Sequence, residues 1–283
     1  MKIVIFTNSE KLHAAEAAIE AAKILTAGGC EVSERDINDL SGFSPEIFDA
    51  IIVIGGDGSI LKAAKPAAAS GTPLLGINTG RLGFMASIER TELALLTKLV
   101  SGDYAISERM RIAGFVVRDG AVTSEVTATN EISAIRPVSK ITDFVVSAGG
   151  AELDFHTVCA FRADGLLVAA PTGSTAYALA NGGAIIEPNA DCMELTPICA
   201  HTLSMRPIIF SGKTILRIEN NLTAAYSESE PVQIVADGVF SANMAAGDTL
   251  FIKKSDKPLR LIDLKPNVFY ESVNGKLFQS LKG

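Results

Sequence analysis

The sequence predicts an α/β N-terminal domain with a parallel sheet, followed by a mostly-β, sandwich-like C-terminal domain. Three observations carry this reading. Over the first hundred residues, apolar β-branched runs alternate with segments of helical period, the pattern of a parallel sheet covered on both faces. From about Met110, short β-like runs follow one another between turn dipeptides. The chain has 283 residues, a length at which single cores stop growing.

Taken in order, Ile3 to Phe6 reads as the first strand. Leu12, Ala15, Ile19, Ala22 and Leu25 then recur at helical spacing, with Gly28-Gly29 as the stop. Ala50 to Ile54 is the next strand, Ser59 to about Ala69 a helix, and Pro73 to Ile77 a strand. Leu93, Leu96, Leu99 and Val100 make 91–101 helical. Beyond Met110, Ile112 to Val117 and Val122 to Ile135 read as two strands around an Asp119-Gly120 turn. Further strands are expected at 141–147, 151–159, 165–170, 207–210, 214–219, 231–236, 248–253 and 258–264. Gly149-Gly150, Asp237-Gly238 and Gly247-Asp248 mark turns among them. A short helix is expected near Gly173–Asn181. The tail after Pro266, with Phe269, Tyr270, Val273, Leu277 and Phe278, reads as a helix returning to the first domain. The expected domains are 1–105 with about 265–283, and 106–264, with a ligand cleft between them.

Composition narrows the function classes. With 48% hydrophobic and 20% charged residues, the chain is an ordinary globular protein, and no run reaches the ~18 apolar residues of a bilayer span. Met1 to Phe6 reads as a strand rather than a secretory leader. The four cysteines show no C-x-x-C pairing and no metal-like spacing with the three histidines, as expected of thiols in a reducing cytoplasm. A net charge of −7 argues against a nucleic-acid partner, which demands a basic face. An anionic small ligand stays open, because backbone dipoles and metal can hold phosphate inside an acidic protein.

The sharpest chemical signal is Ile51 to Leu61, where an apolar strand runs into Gly55, Gly56, Asp57, Gly58 and Ser59 and then a helical segment. Such a turn presents backbone N–H groups and the positive end of a helix dipole, which suits phosphate. Asp57 would repel phosphate, so it makes more sense as a proton acceptor or magnesium partner, and the turn hints at phosphoryl transfer. A second strand-to-glycine turn, Gly76 to Phe84, would lie beside it at the carboxyl edge of the sheet. Asn130-Glu131 offers an amide and a carboxylate fit for a base edge and a ribose diol, and equally reads as a solvated strand end. In Pro171-Thr-Gly-Ser-Thr-Ala-Tyr177, small hydroxyl residues and a glycine admit a ligand close to the backbone. Tyr177 there supplies a stacking plate, while Thr175 also reads as a helix cap. Asp237-Gly238 on its own reads as a hairpin turn.

Assembled, these motifs closely resemble those of the bacterial NAD kinase family, the ATP- or polyphosphate-dependent NAD 2′-kinases. The resemblance rests on Gly55-Gly-Asp-Gly58, Asn78-x-Gly-x-Leu-Gly-Phe84, Asn130-Glu131, Asp164-Gly-Leu, Pro171 to Tyr177, and His201-Thr-Leu-Ser-x-Arg-Pro207. It implies transfer of the terminal phosphoryl group of ATP, with a divalent metal such as Mg2+, to the adenosine ribose 2′-hydroxyl of NAD. Under it, Asp57 matches the proton acceptor. Gly55, Gly56, Gly58, Ser59 and Lys62 match the donor-phosphate turn. Asp57, Gly58, Asn130, Glu131, Asp164, Thr175, Ala176, Tyr177, Ala180 and Asp237 fall at positions that bind NAD, and Lys140 and Arg162 near basic positions that help hold it. No residue is assigned to the metal. The resemblance also implies a cytoplasmic homodimer or homotetramer. The chain departs from the family at Ser59, where Thr is common, and at Ala163, Ala180 and Ala200. Two other readings share only part of the pattern: a lipid or other small-molecule kinase with the Gly-Gly-Asp-Gly turn, and an NAD(P)-binding sensor without turnover.

Overall fold

The computed structural model describes residues 1–11, 13–80, 83–137, 141–150, 152, 154–221, 231–266 and 268–277, the side chains of 276 and 277 excepted. Leu12, Leu82, Lys140 and Phe278, singled out in the sequence, lie outside the described residues. The chain divides into two compact units, Met1–Arg109 with Lys257–Gly283, and Met110–Asp256.

The first unit is built on one seven-stranded sheet. Its strands are β1 (Lys2–Thr7), β2 (Glu31–Asp36), β3 (Ala50–Gly55), β4 (Leu74–Asn78), β5 (Ile88–Glu89), β6 (Ala105–Arg109) and β19 (Leu259–Asp263). They run in the order β2-β1-β3-β4-β19-β6, with β5 paired to β4. All pairs are parallel except β19 with β6, so the expected parallel sheet carries one antiparallel edge.

Side chains alternate along β1. Ile3 and Ile5 enter one apolar core with α1 (Ala14–Ala27) and α3 (Leu96–Ser101), whereas Val4 and Phe6 enter another with α2 (Asp57–Ser70). The helix expected over 91–101 is a 3-10 turn at Arg90–Leu95 that passes into α3. The tail forms α5 (Val268–Leu277).

Two sequence expectations change here. β2 was not foreseen, because Glu31, Ser33, Glu34 and Arg35 make a polar edge strand without an apolar run. The run at 258–264, expected in the second domain, supplies β19 to the first unit's sheet, where it pairs with both β4 and β6. The unit boundaries therefore fall at 109/110 and 256/257 rather than at 105/106 and 264/265.

The second unit packs two six-stranded antiparallel sheets face to face. One holds β7 (Ile112–Arg118), β8 (Ala121–Ala128), β10 (Thr142–Gly149), β11 (His156–Ala163), β15 (Ile215–Asn220) and β18 (Thr249–Lys254). The other runs in the order β14-β13-β12-β9-β16-β17. Its members are β9 (Glu131–Ile135), β12 (Gly165–Ala169), β13 (Cys192–Ile198), β14 (Ile208–Ser211), β16 (Val232–Ala236) and β17 (Val239–Met244).

Ile132, Ala134, Leu166, Val168, Met193 and Leu195 face the inter-sheet core together with Val116, Phe144 and Ile252 of the opposite sheet. The alternate residues Ile135, Leu167, Ala169 and Ile198 face outward, where Ala178 of α4 (Tyr177–Ala180) covers them. The single strand expected over Val122 to Ile135 is broken at Thr129-Asn130, and the break carries the chain from one sheet to the other. Strands β13 and β17 were not foreseen, and the run expected at 151–159 begins at His156.

Candidate active site

In the first unit the sheet order reverses between β1 and β3, the crevice position at which open α/β sheets bind ligands. The two glycine turns lie side by side as expected, since β3 and β4 pair in parallel with Gly55 opposite Asn78. The Thr79 N–H donates to the Gly55 carbonyl at 3.2 Å. Gly56 caps α2 and Asp57 opens it, so the turn's N–H groups lie at a helix start.

The Asp57 carboxylate is held from the neighbouring turn. Phe84 N–H donates to one oxygen at 2.8 Å and Met85 N–H to the other at 3.2 Å. Gly83 packs against the same group, and a Cβ there would lie 2.6 Å from Asp57 Cγ. Two of about four lone-pair sites on the carboxylate are thereby engaged, which fixes its orientation and leaves acceptor capacity free.

Gly58 is exposed, whereas Ser59 is buried, its hydroxyl accepting from Asn8 Nδ2 at 2.9 Å and so bracing the turn from behind. Lys62 is exposed and donates to Asn38 Oδ1 at 2.7 Å. Phe84 stood in a motif of the sequence without a role assigned to it, and Asn8 and Met85 act here without having been singled out. A side chain bonding to a serine and two backbone amides leave no residue-type signal in a sequence.

In the second unit, three separated motifs meet at one end of β12. Asp237, at the β16–β17 turn with φ 50°, accepts Thr129 N–H at 2.8 Å, Asn130 N–H at 2.7 Å and Glu131 N–H at 3.3 Å. Asn130 in turn accepts the Ala170 N–H at 2.8 Å. Gly173 lies so close to it that a Cβ would sit 2.7 Å from Asn130 Cα. Buried Arg111 donates to Thr129 Oγ1 at 3.1 Å and Thr127 Oγ1 at 2.9 Å, with its charge near Asp237.

Burial pushes the Asp237 carboxyl up, against three backbone N–H bonds and Arg111 that pull it down. Burial, with a smaller contribution from the Asp237 charge, pushes Glu131 up to about 7. Glu131 Oε2 and Thr172 Oγ1 are both buried and have no hydrogen-bond partner among the described residues.

From there residues 171–180 run back over the outer face of the sheet. Ser174, one of the small hydroxyl residues read as admitting a ligand, instead pins this segment. Its hydroxyl donates to the Pro171 carbonyl at 2.7 Å and accepts the Ile186 N–H at 3.0 Å. Thr175 is not a side-chain cap: it donates to the Thr172 carbonyl at 3.3 Å, and Ala176 is the cap residue of α4. Tyr177 is 43% exposed and Ala180 is exposed, so both face solvent beside the strip.

Asp164 and Arg162 sit at the opposite end of β12 from Asn130. The Asp164 N–H donates to the Ile198 carbonyl at 3.1 Å, and exposed Arg162 donates to Asp143 Oδ1 at 2.6 Å. A cavity of about 370 Å³ in this unit is lined by Asn181, Gly182, Cys199, Thr202, Met205 and Arg206, joining the end of the 171–181 segment to the 201–207 block.

Comparison with known proteins gives these clusters a context. Residues 7–104 match the family model of the ATP-NAD kinase N-terminal domain, and residues 130–264 that of the C-terminal domain. An NAD kinase of Symbiobacterium thermophilum is 36% identical over 278 residues, covering 97% of this chain and 94% of that protein. The chain belongs to the NAD kinase family. The fold agrees with solved members. A yeast NADH kinase complexed with NADH superposes with a TM-score of 0.82 at 23% identity, over 99% of this chain and 89% of that one. An NAD kinase from Archaeoglobus fulgidus in complex with ATP gives 0.75 at 24% identity, over 98% of each chain. Members of the NAD kinase family are phosphotransferases acting on an alcohol group, a reaction class that suits a positioned carboxylate beside a helix start. Among the described residues, no group of three or more His, Cys, Asp or Glu could hold a metal, and no helix is long and apolar enough to cross a membrane.

Proposed function

We propose that this chain transfers the terminal phosphoryl group of ATP to the 2′-hydroxyl of the adenosine ribose of NAD, giving NADP and ADP, with Asp57 as proton acceptor. The observation that carries the reading is the Asp57 carboxylate, oriented by two backbone N–H groups at the start of α2 and retaining free lone pairs. A ribose hydroxyl is a poor nucleophile until its proton leaves, so a base within hydrogen-bond reach is required. The phosphoryl group itself needs position and charge neutralisation more than covalent help. The turn from Gly55 to Gly58 supplies backbone N–H groups for the donor phosphates.

The cluster of Asn130, Glu131, Thr172 and Thr175 supplies acceptors and donors for the dinucleotide. Asp237 and Arg111 hold that cluster in place from beneath. Asp164, Arg162, Tyr177 and Ala180 extend the surface along the strip, and Lys62 and Lys140 add positive charge.

Magnesium fits this donor set as an ion carried by the nucleotide. One carboxylate with a free lone pair and two or three phosphates is how this cation is commonly held, and Asp57 is the side chain at the turn that could share it. When bound, the ion neutralises charge on the transferred group. We also read the protein as cytoplasmic and homo-oligomeric, with nucleotides rather than nucleic acid or membrane as its partners.

The test is NADP formation by the purified protein from NAD and Mg2+, with ATP and polyphosphate compared side by side. Asp57→Asn is expected to abolish turnover while NAD still binds. Full turnover by that variant would remove Asp57 from the mechanism, and turnover of a lipid in place of NAD would overturn the substrate.

A further inference from the structure

The peptide group that joins Gly83 to Phe84 is hydrogen-bonded at both ends. Its N–H donates to Asp57 Oδ2 at 2.8 Å, and its carbonyl accepts the hydroxyl of Ser272 at 2.8 Å. Ser272 lies in α5, 189 residues further along the chain, and is fully buried. A serine inside a helix ordinarily bonds back to a carbonyl of its own helix. Here the hydroxyl reaches outward to the loop that holds the catalytic carboxylate.

Two physical consequences follow. A carbonyl that accepts a hydrogen bond polarises its amide and strengthens the N–H as a donor, so the Ser272–peptide–Asp57 chain is cooperative. The bond also fixes the plane of the peptide. Gly83 has no side chain to restrain it, and rotation of the peptide would take the N–H off Asp57 and leave a buried carbonyl unpaired.

The helix and the segment that leads into it also make contacts other than this bond. The Phe269 ring lies 6.4 Å from that of Phe84. Leu264 N–H donates to Ser87 Oγ at 3.0 Å, and Lys265 pairs with Glu92 at 2.8 Å. Ser272 is thus one of several contacts that hold this part of the chain, and the one that reaches the Gly83 carbonyl.

We propose that Ser272 is a positioning residue for Asp57: through the Gly83–Phe84 peptide it aims the N–H that orients the proton-accepting carboxylate. This rests on Asp57 being the proton acceptor of the proposed reaction. The C-terminal helix thereby becomes part of the machinery of phosphoryl transfer, acting through the backbone of the loop.

The experiment compares Ser272→Ala, Ser272→Cys, Ser272→Thr and Lys265→Ala in the full chain. Turnover, both Michaelis constants and melting temperature are measured. The amide proton of Phe84 is followed by NMR after labelling with 15N-phenylalanine. Ser272→Ala is expected to lower kcat roughly tenfold with KM for NAD and ATP within about twofold, the signature of an interaction realised in the transition state. Ser272→Thr restores kcat. Ser272→Cys, a weaker donor of similar size, falls between and serves if the alanine variant does not fold. The Phe84 amide proton moves upfield in the alanine and cysteine variants, as its bond to Asp57 weakens. Lys265→Ala lowers the melting temperature and leaves kcat unchanged.

Wild-type kcat in Ser272→Ala would overturn the proposal. So would a loss of kcat in Lys265→Ala that matched it at equal loss of stability. If the wild-type chain makes no NADP, the proposed reaction fails. The Phe84 amide shift then still decides whether Ser272 controls this peptide, and an unmoved resonance would overturn that as well.

Discussion

The carboxylate of Asp237 accepts the backbone N–H of Asn130 at 2.7 Å, across 107 positions of chain. It takes the N–H groups of Thr129 and Glu131 as well, and so holds the turn. Asp237→Asn turns one acceptor oxygen into an NH2 that faces backbone donors. The expected result is a rise of about tenfold or more in KM for NAD and a loss of ~2 kcal/mol in unfolding free energy, with kcat changed far less. Steady-state kinetics and urea denaturation check this. Collapse of kcat at unchanged KM would instead put Asp237 at the reacting hydroxyl.

Gly83 touches Asp57 for a reason that can be probed in isolation. Its backbone does not occupy the left-handed region, so alanine meets no conformational penalty there. Yet its Cβ would lie 2.6 Å from Asp57 Cγ. Gly83→Ala must therefore displace the carboxylate, and a misplacement of about 1 Å costs on the order of 100-fold in rate. The expected outcome is that loss in kcat with a near-normal melting temperature. Unimpaired turnover would mean that the carboxylate position is not what limits the reaction.

These two cases show why the sequence revealed some parts of the site and hid others. Asp57 and Asn130 were legible because each interrupts a regular pattern: a carboxylate among glycines, and two adjacent polar groups in an apolar alternation. The sheet-to-sheet break at Thr129-Asn130 was not legible. Asn130-Glu131 interrupts the alternation without signalling a change of sheet, and the break is held by Asp237, a hundred residues away. β2 was hidden because a polar edge strand needs no apolar face. β19 was visible as a strand, but its membership of the first unit depends on pairing with β4 and β6, which local pattern does not encode. Phe84 and Met85 contribute amides, and every residue but proline has one.

Thr172 offers a separation of binding from stability. Its hydroxyl is buried and has no hydrogen-bond partner among the described residues. Thr172→Val keeps the shape and removes the unsatisfied group. We expect a gain of roughly 1 kcal/mol in unfolding free energy of the free protein together with weaker NAD binding. Calorimetric titration with NAD and thermal unfolding measure the two effects. A variant that loses stability, or binds NAD as tightly as the wild type, would mean that the hydroxyl does not await a ligand.

Glu131 carries the clearest pH dependence. Burial, reinforced by the Asp237 charge, raises its carboxyl from 4.5 to about 7. Between those values the folded protein holds a proton that the unfolded chain has released. The stability contributed by the neutral form is therefore fully present below about pH 4.5 and lost as pH rises through 7. The shift corresponds to about 3 kcal/mol. Glu131→Gln cannot ionise, so from pH 5 to pH 8 it should lose less stability than the wild type, and at pH 8 it should be the more stable of the two. Urea denaturation at both pH values tests this, and parallel declines in the two proteins would count against Glu131 as the titrating group. The same substitution should weaken NAD binding, because it turns one of the two carboxylate acceptors into an NH2 donor. A carboxylate that destabilises the free protein and improves it as a receptor is the arrangement expected where a ligand hydroxyl replaces lost solvent.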